Sequence, residues 1–252
     1  MIIDAHSHYL GEQGYLEKLI AEYQHLGIEK GCISGLGPLF GHKGNDEVEQ
    51  AFLKCPDAII GFGYVRLGTD DAASVKELFS RGFKGLKFTC PPANYDHADF
   101  YSVYEQAEKQ GMPALFHCGI VVTARGGRQW NVSSARMRPA FLDTIARAFP
   151  GLNIICAHMG VPWFEEATTI ARLVDNVYVD ITGSPDGWRL QKSTAFFEEL
   201  FYWEGAYNKV IWGTDVHCND MEAALDRDRR LLRELGLTEE QTGKVFGGTM
   251  AG

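Results

Sequence analysis

Two histidines one residue apart stand near the start of the chain, His6 and His8 in the run Asp4-Ala5-His6-Ser7-His8. Side chains two apart on an extended strand point to the same face, so both imidazoles can reach one cation. Neutral imidazole nitrogen suits zinc and related borderline metals. Three more apolar runs finish in residues of the same kind: Leu115-Phe116-His117, Cys156-Ala157-His158 and Trp212-Gly213-Thr214-Asp215. Imidazoles and a carboxylate gathered around a metal could hold the ion, polarise a substrate oxygen and carry a proton. Each residue also has a plainer reading: a strand histidine can be structural, Asp215 can cap the following loop, and His158 can support a ligand from behind.

Residues this far apart meet only if the runs that carry them lie side by side. Eight runs of strand length recur, at 2–8, 31–36, 58–65, 85–90, 113–118, 153–159, 177–182 and 209–216. Between them fall stretches with apolar spacing of three and four, among them 72–81, 100–110, 138–149, 164–173, 194–203 and 221–235, and several close on glycine or proline. The strands are nearly continuous in Val, Ile, Leu, Phe and Ala, as befits parallel strands covered on both faces. The alternation predicts an α/β chain folded as a (β/α)8 TIM barrel, in which all strand C-termini open on one mouth. No GxGxxG turn follows the first strand to support a doubly wound dinucleotide fold. A chain of 252 residues suits one such domain spanning 1–252. Two long loops face the mouth: 38–45, and 119–137 with Arg125, Arg128 and Arg136, whose planar guanidinium groups suit a substrate carboxylate.

The composition, 45% hydrophobic and 23% charged, is that of a globular protein. With 24 basic against 33 acidic residues the net charge is −9, and no basic run offers itself to nucleic acid or to an anionic membrane. Six scattered cysteines with no CxxC pair read as reduced thiols and a cytoplasmic address. No apolar stretch approaches the ~20 residues needed to cross a bilayer. A small molecule is the expected partner.

The chain resembles the amidohydrolase superfamily, in particular the amidohydrolase-related (amidohydrolase 2) branch with its aminocarboxymuconate-semialdehyde decarboxylase-like and pyrone-dicarboxylate lactonase-like enzymes. The residues that carry the resemblance are the opening Ile2 to His8, the segment Lys84-Gly85-Leu86-Lys87-Phe88, His117, the stretch from Arg138 through His158-Met159-Gly160, and Trp212 to Asp215. The resemblance implies one divalent metal, zinc, on His6, His8, His117 and Asp215, with His158 orienting or deprotonating the attacking water and Asp215 serving also as base. It implies for Lys87, if carbamylated, a bridge to a second metal, beside which stand the readings of a substrate contact and of a plain buried lysine neutralised by a carboxylate, and it adds a homodimer. The resulting expectation is a metal-dependent hydrolase of a small, carboxylate-bearing amide, lactone or ester, with metal-activated water as nucleophile. The alternatives are a metal-dependent decarboxylase of an aromatic or muconate-type acid, and a non-catalytic barrel that holds metal and binds a ligand. Of the other histidines, His217 is a candidate for the pocket, while His25, His42 and His97 are read as surface or packing residues.

Overall fold

The apolar runs pair as eight parallel strands in sequential order: β1 Ile3–His8, β2 Lys30–Ser34, β3 Ile59–Tyr64, β4 Gly85–Phe88, β5 Ala114–Phe116, β6 Ile154–Cys156, β7 Val177–Asp180 and β8 Val210–Ile211. The sheet then returns to its start, because Ala5 N–H donates to the Trp212 carbonyl at 3.1 Å and Asp215 N–H to the His6 carbonyl at 2.8 Å. The result is the expected (β/α)8 barrel. The computed structural model describes residues 1–37, 40–122, 131–184 and 186–251.

One helix follows each strand: α1 Tyr15–Leu26, α2 Asn45–Lys54, α3 Ala72–Ser80, α4 Tyr101–Lys109, α5 Ala140–Ala148, α6 Phe164–Leu173, α7 Thr194–Leu200 and α8 Met221–Glu234. Short helices α9 Glu239–Gly243 and α10 Thr249–Ala251 end the chain. Each long helix buries one apolar stripe. In α1 it is Tyr15, Leu16, Leu19 and Tyr23, and Gly27 then stops the helix at φ 70°, a left-handed turn open to a residue without Cβ. In α8 the stripe includes a buried carboxylate, Asp228, which accepts the Trp212 indole N–H at 2.8 Å and is paired with Arg189 and Arg227. A second apolar cluster lies inside the barrel, drawn from strand residues such as Ala5, Cys32, Phe62, Leu115, Ile155 and Ile211.

Strict alternation along β1 does not hold. The register against β2 shifts between Asp4 and Ser7, a bulge that turns Asp4 outward to the Tyr23 hydroxyl of α1 at 3.4 Å while His6 and His8 both face inward. Strands 6 and 8 are also shorter than the apolar pattern suggests. Past Cys156 the chain enters a turn with His158 at φ 56° and Met159 at φ 47°, and past Ile211 it reaches Asp215 at φ 49°. The reason is local: the His158 N–H leaves the ladder for the Asp180 carboxylate at 2.7 Å. No helix among the described residues is long and apolar enough to cross a membrane, and all six cysteines are free thiols.

Candidate metal centre

The strand ends bring His6, His8, Lys87, His117, His158 and Asp215 to one end of the barrel. His8 Nε2 lies 3.1 Å and His6 Nε2 3.7 Å from Asp215 Oδ1, and these three residues offer donor atoms all within 4.8 Å of one another. Ser34, at the end of β2, fixes the far side of His8 with its hydroxyl 3.0 Å from Nδ1. His158 Nε2 stands 3.6 Å from Asp215 Oδ2 and 3.2 Å from His117 Nδ1. His117 Nε2 is buried with no hydrogen-bond partner.

His158 and Asp215 both have left-handed backbone, at φ 56° and φ 49°. Conformations of this kind are sparsely populated for residues with a Cβ and concentrate at functional sites. Burial dominates the ring titrations. It holds His158 down at about 4 against the pull of Asp215 and Asp180, lowers His8 despite its Asp215 partner, and with the charges of His158 and Lys87 drives His117 well below the ordinary value. These imidazoles are neutral at pH 7, as metal ligation and proton acceptance both require. Burial works to raise Asp215, but His6 and His8 outweigh it and hold the carboxyl well below the usual range.

Lys87, 1% exposed, puts its Nζ 2.7 Å from His6 Nε2. Burial lowers its amine to about 8, against the attraction of Asp215 and Asp180. A positive group thus lies where the ring lone pair points. The site also contains groups the sequence did not single out. Asp180, at the end of β7, meets His6 Nδ1 at 2.8 Å, and Thr182 meets His158 Nδ1 at 2.7 Å. Asp180 ends an apolar strand just as Asp215 does, so the same criterion applied to the seventh run finds it. His42, read as a surface or packing residue, instead lines the cavity with its ring centroid 4.8 Å from that of His8. It reaches there because Leu10 and His42 form an isolated bridge between two loops, a contact without sequence periodicity.

Above these groups lies a cavity of 590 Å³, whose walls include Leu36, Phe40, Val121, Val161, Trp188 and Val216. His217 lines it, as its position two past Asp215 suggested. Arg136 does not line it, and its guanidinium is engaged by the Asn131 carbonyl at 2.8 Å and that of Pro91 at 3.4 Å. Arg125 and Arg128 lie outside the described residues. Lys87 is the one lysine or arginine among the described residues that line the cavity.

A family model described as amidohydrolase matches residues 39–249, and the chain belongs to that family. The match takes in His117, His158 and Asp215 and begins after His6 and His8. Among solved structures the fold is similar to an uncharacterized TIM-barrel protein from Bordetella bronchiseptica, with TM-score 0.75 and 17% identity over 99% of this chain and 96% of that one. It is similar also to a probable 2-pyrone-4,6-dicarboxylic acid hydrolase from Acinetobacter baumannii with citric acid bound, with TM-score 0.71 and 13% identity over 99% and 97%. A dihydroxybenzoic acid decarboxylase from Polaromonas sp. JS666, bound to manganese and the inhibitor 2-nitroresorcinol, gives TM-score 0.70 and 15% identity over 99% and 95%. Identities this low speak to the fold alone. No curated protein matches the sequence. The family places the chain among metal-dependent enzymes of the amidohydrolase superfamily, and the non-catalytic barrel gives way to that assignment.

Proposed function

We propose that this enzyme hydrolyses a small amide, lactone or ester, using one zinc ion held by His6, His8, His117 and Asp215. The observation that carries the reading is the convergence of acceptors: His6 Nε2, His8 Nε2 and Asp215 Oδ1 face one another, beside a His117 Nε2 that is buried and unpartnered. Bare lone pairs crowded in a buried site are costly unless a cation joins them. The donor set therefore fits a borderline divalent metal, which when bound polarises a carbonyl oxygen and acidifies water. Of the two clusters with ligand spacing among the described residues, the one formed by His6, His158 and Asp180 is the hydrogen-bonded support, since the Asp180 oxygens already accept protein donors.

The protein's own groups supply the proton handling. Asp215 Oδ2 and His158 Nε2, 3.6 Å apart, flank the place where a water proton would be accepted and later returned to the leaving group. Lys87 Nζ, at the cavity floor, can meet a carboxylate on the substrate. The apolar walls and the fold shared with a decarboxylase support a second reading, loss of CO₂ from an aromatic acid on the same groups.

Zinc-loaded protein incubated with a panel of lactones, esters and amides, and in parallel with hydroxybenzoic acids, separates the two readings by acid release against CO₂ release. Hydrolysis that Asp215→Asn lowers by about 10²–10⁴-fold is expected. Evolution of CO₂ without hydrolysis, or undiminished turnover after exhaustive chelation, would overturn the proposal.

A further inference from the structure

Asp180 and Thr182 are fully buried and line no part of the cavity, so neither touches substrate. Yet together they contact two imidazoles from different strands. Asp180 Oδ1 accepts the His158 N–H at 2.7 Å, the Thr182 N–H at 3.1 Å and the Thr182 hydroxyl at 2.5 Å. Its Oδ2 lies 2.8 Å from His6 Nδ1.

Proton counting then leaves one arrangement. An ionised carboxylate only accepts, so a His6 ring proton sits on Nδ1, and the Lys87 ammonium 2.7 Å from Nε2 faces that nitrogen as an unprotonated acceptor. Thr182 has one hydroxyl proton, committed to Asp180. Its oxygen, 2.7 Å from His158 Nδ1, is left to accept, which puts the single proton of neutral His158 on Nδ1 as well. His158 Nε2 is bare in turn, beside Asp215 Oδ2 and His117 Nδ1. The hydroxyl is oriented by its own methyl, which packs so closely at Gly213 that a Cβ there would stand 2.9 Å from Thr182 Cγ2.

We propose that Asp180 and Thr182 are positioning residues that set the tautomers of His6 and His158 as a unit, so that His158 presents Nε2 to the reaction as a proton acceptor. This rests on the reading of the centre as a metal-dependent catalytic site, and deepens it by dividing the labour between the two rings. One buried carboxylate fixes a ligand directly and a base through a hydroxyl.

Two-bond ¹⁵N correlation spectra of the histidine rings test it directly, in metal-free and in zinc-loaded protein. The metal-free wild type should show protonated Nδ1 and unprotonated Nε2 at both His6 and His158, and zinc loading should shift His6 Nε2 to the metal-bound range while leaving Nδ1 protonated on both rings. In Thr182→Val the His158 proton has no partner at Nδ1 and should move to Nε2, beside Asp215. Thr182→Ser should restore the wild-type spectrum. Zinc affinity by chelator competition should stay within about threefold in Thr182→Val, because His6 Nδ1 keeps its shorter bond to Asp180 at 2.8 Å when the Thr182 oxygen, 3.3 Å away, is removed. With a substrate from the panel above, kcat should fall at least tenfold in that variant with KM little changed.

A wild-type His158 protonated at Nε2 overturns the proposal whatever the variants do, and so does a Thr182→Val spectrum identical to wild type. If the tautomer switches as expected but kcat does not fall, the relay stands while the role of His158 as base fails.

Discussion

Asp4 and Thr214, 210 positions apart in the chain, are joined by two hydrogen bonds: the Thr214 N–H donates to Oδ1 at 2.9 Å and its hydroxyl to Oδ2 at 2.7 Å. The pair closes the barrel between β1 and the turn after β8, one residue from Asp215. Burial raises the Asp4 carboxyl to about 6, and the two Thr214 bonds oppose the rise. Replacing Thr214 by valine keeps the shape and removes one donor from a fully buried carboxylate. The expected loss is about 1–3 kcal/mol, read as a lower urea midpoint with unchanged slope. An unchanged midpoint would show that the seam holds without this hydroxyl.

Gly213 lies at the same seam. A Cβ there would stand 2.7 Å from the His6 backbone nitrogen and 2.9 Å from His6 Cβ. The backbone cannot yield as a flexible side chain would, so Gly213→Ala must push β8 away from β1. Overpacking of this kind costs about 1–3 kcal/mol, and it should also weaken zinc binding at least tenfold, because His6 and Asp215 sit on opposite sides of the gap. Gly243→Ala, where a Cβ meets nothing within 4 Å, is the control and should leave both quantities near wild type. Equal effects of the two substitutions would refute the argument.

The barrel was legible because each strand is an apolar run closed by a turn signal, and because the ligand-type residues sit where such runs stop. His6, His8, His117, His158 and Asp215 follow from that rule alone, and Asp180 would have followed from the same rule. His42 could not, since a loop bridge rather than a periodic element carries it to His8. Nor could the bulge at β1, which turns Asp4 away from the centre although it shares the spacing of His6 and His8. The left-handed turns at His158 and Asp215 were hidden as well, because neither residue type announces that conformation. The arginines of the 119–137 loop show the limit of chemical type as a guide: Arg136 has the right group, but backbone carbonyls occupy it.

Lys87 offers a direct test of which cation the lone pairs favour. Its ammonium stands in front of His6 Nε2 and is attracted by Asp215 and Asp180, so Lys87→Met, which leaves a buried acceptor without its partner, should destabilise the metal-free protein at pH 7 by about 1–3 kcal/mol. It should also raise zinc affinity roughly tenfold, about 1.4 kcal/mol, because an arriving ion no longer displaces or repels the ammonium. Thermal unfolding of chelator-treated protein and a competition titration measure the two effects. A fall in zinc affinity would instead make Lys87 part of the ligand set, as a carbamylated bridge would be.

The metal-free protein should be labile to acid. His158 and His42 are held at about 4 and about 3, chiefly by burial, and His8 and His117 are lowered too, whereas in the unfolded chain each titrates near 6.5. Below that pH the unfolded state binds protons that the folded state refuses, so stability falls as the pH drops from 6.5 toward 4. His158 alone accounts for a loss on the order of 3 kcal/mol by pH 4. Asp4 acts in the opposite sense: raised to about 6, it contributes stability that is full below pH 3.8 and lost as pH rises through 6. Four depressed imidazoles outweigh one raised carboxyl, so urea midpoints should decrease from pH 7 to pH 5. His42→Gln, which removes one of the four without replacing a proposed ligand, should flatten that decline. A midpoint that holds steady on acidification, or a variant with the wild-type slope, would mean that these rings take up protons in the folded state and are not held neutral by their burial.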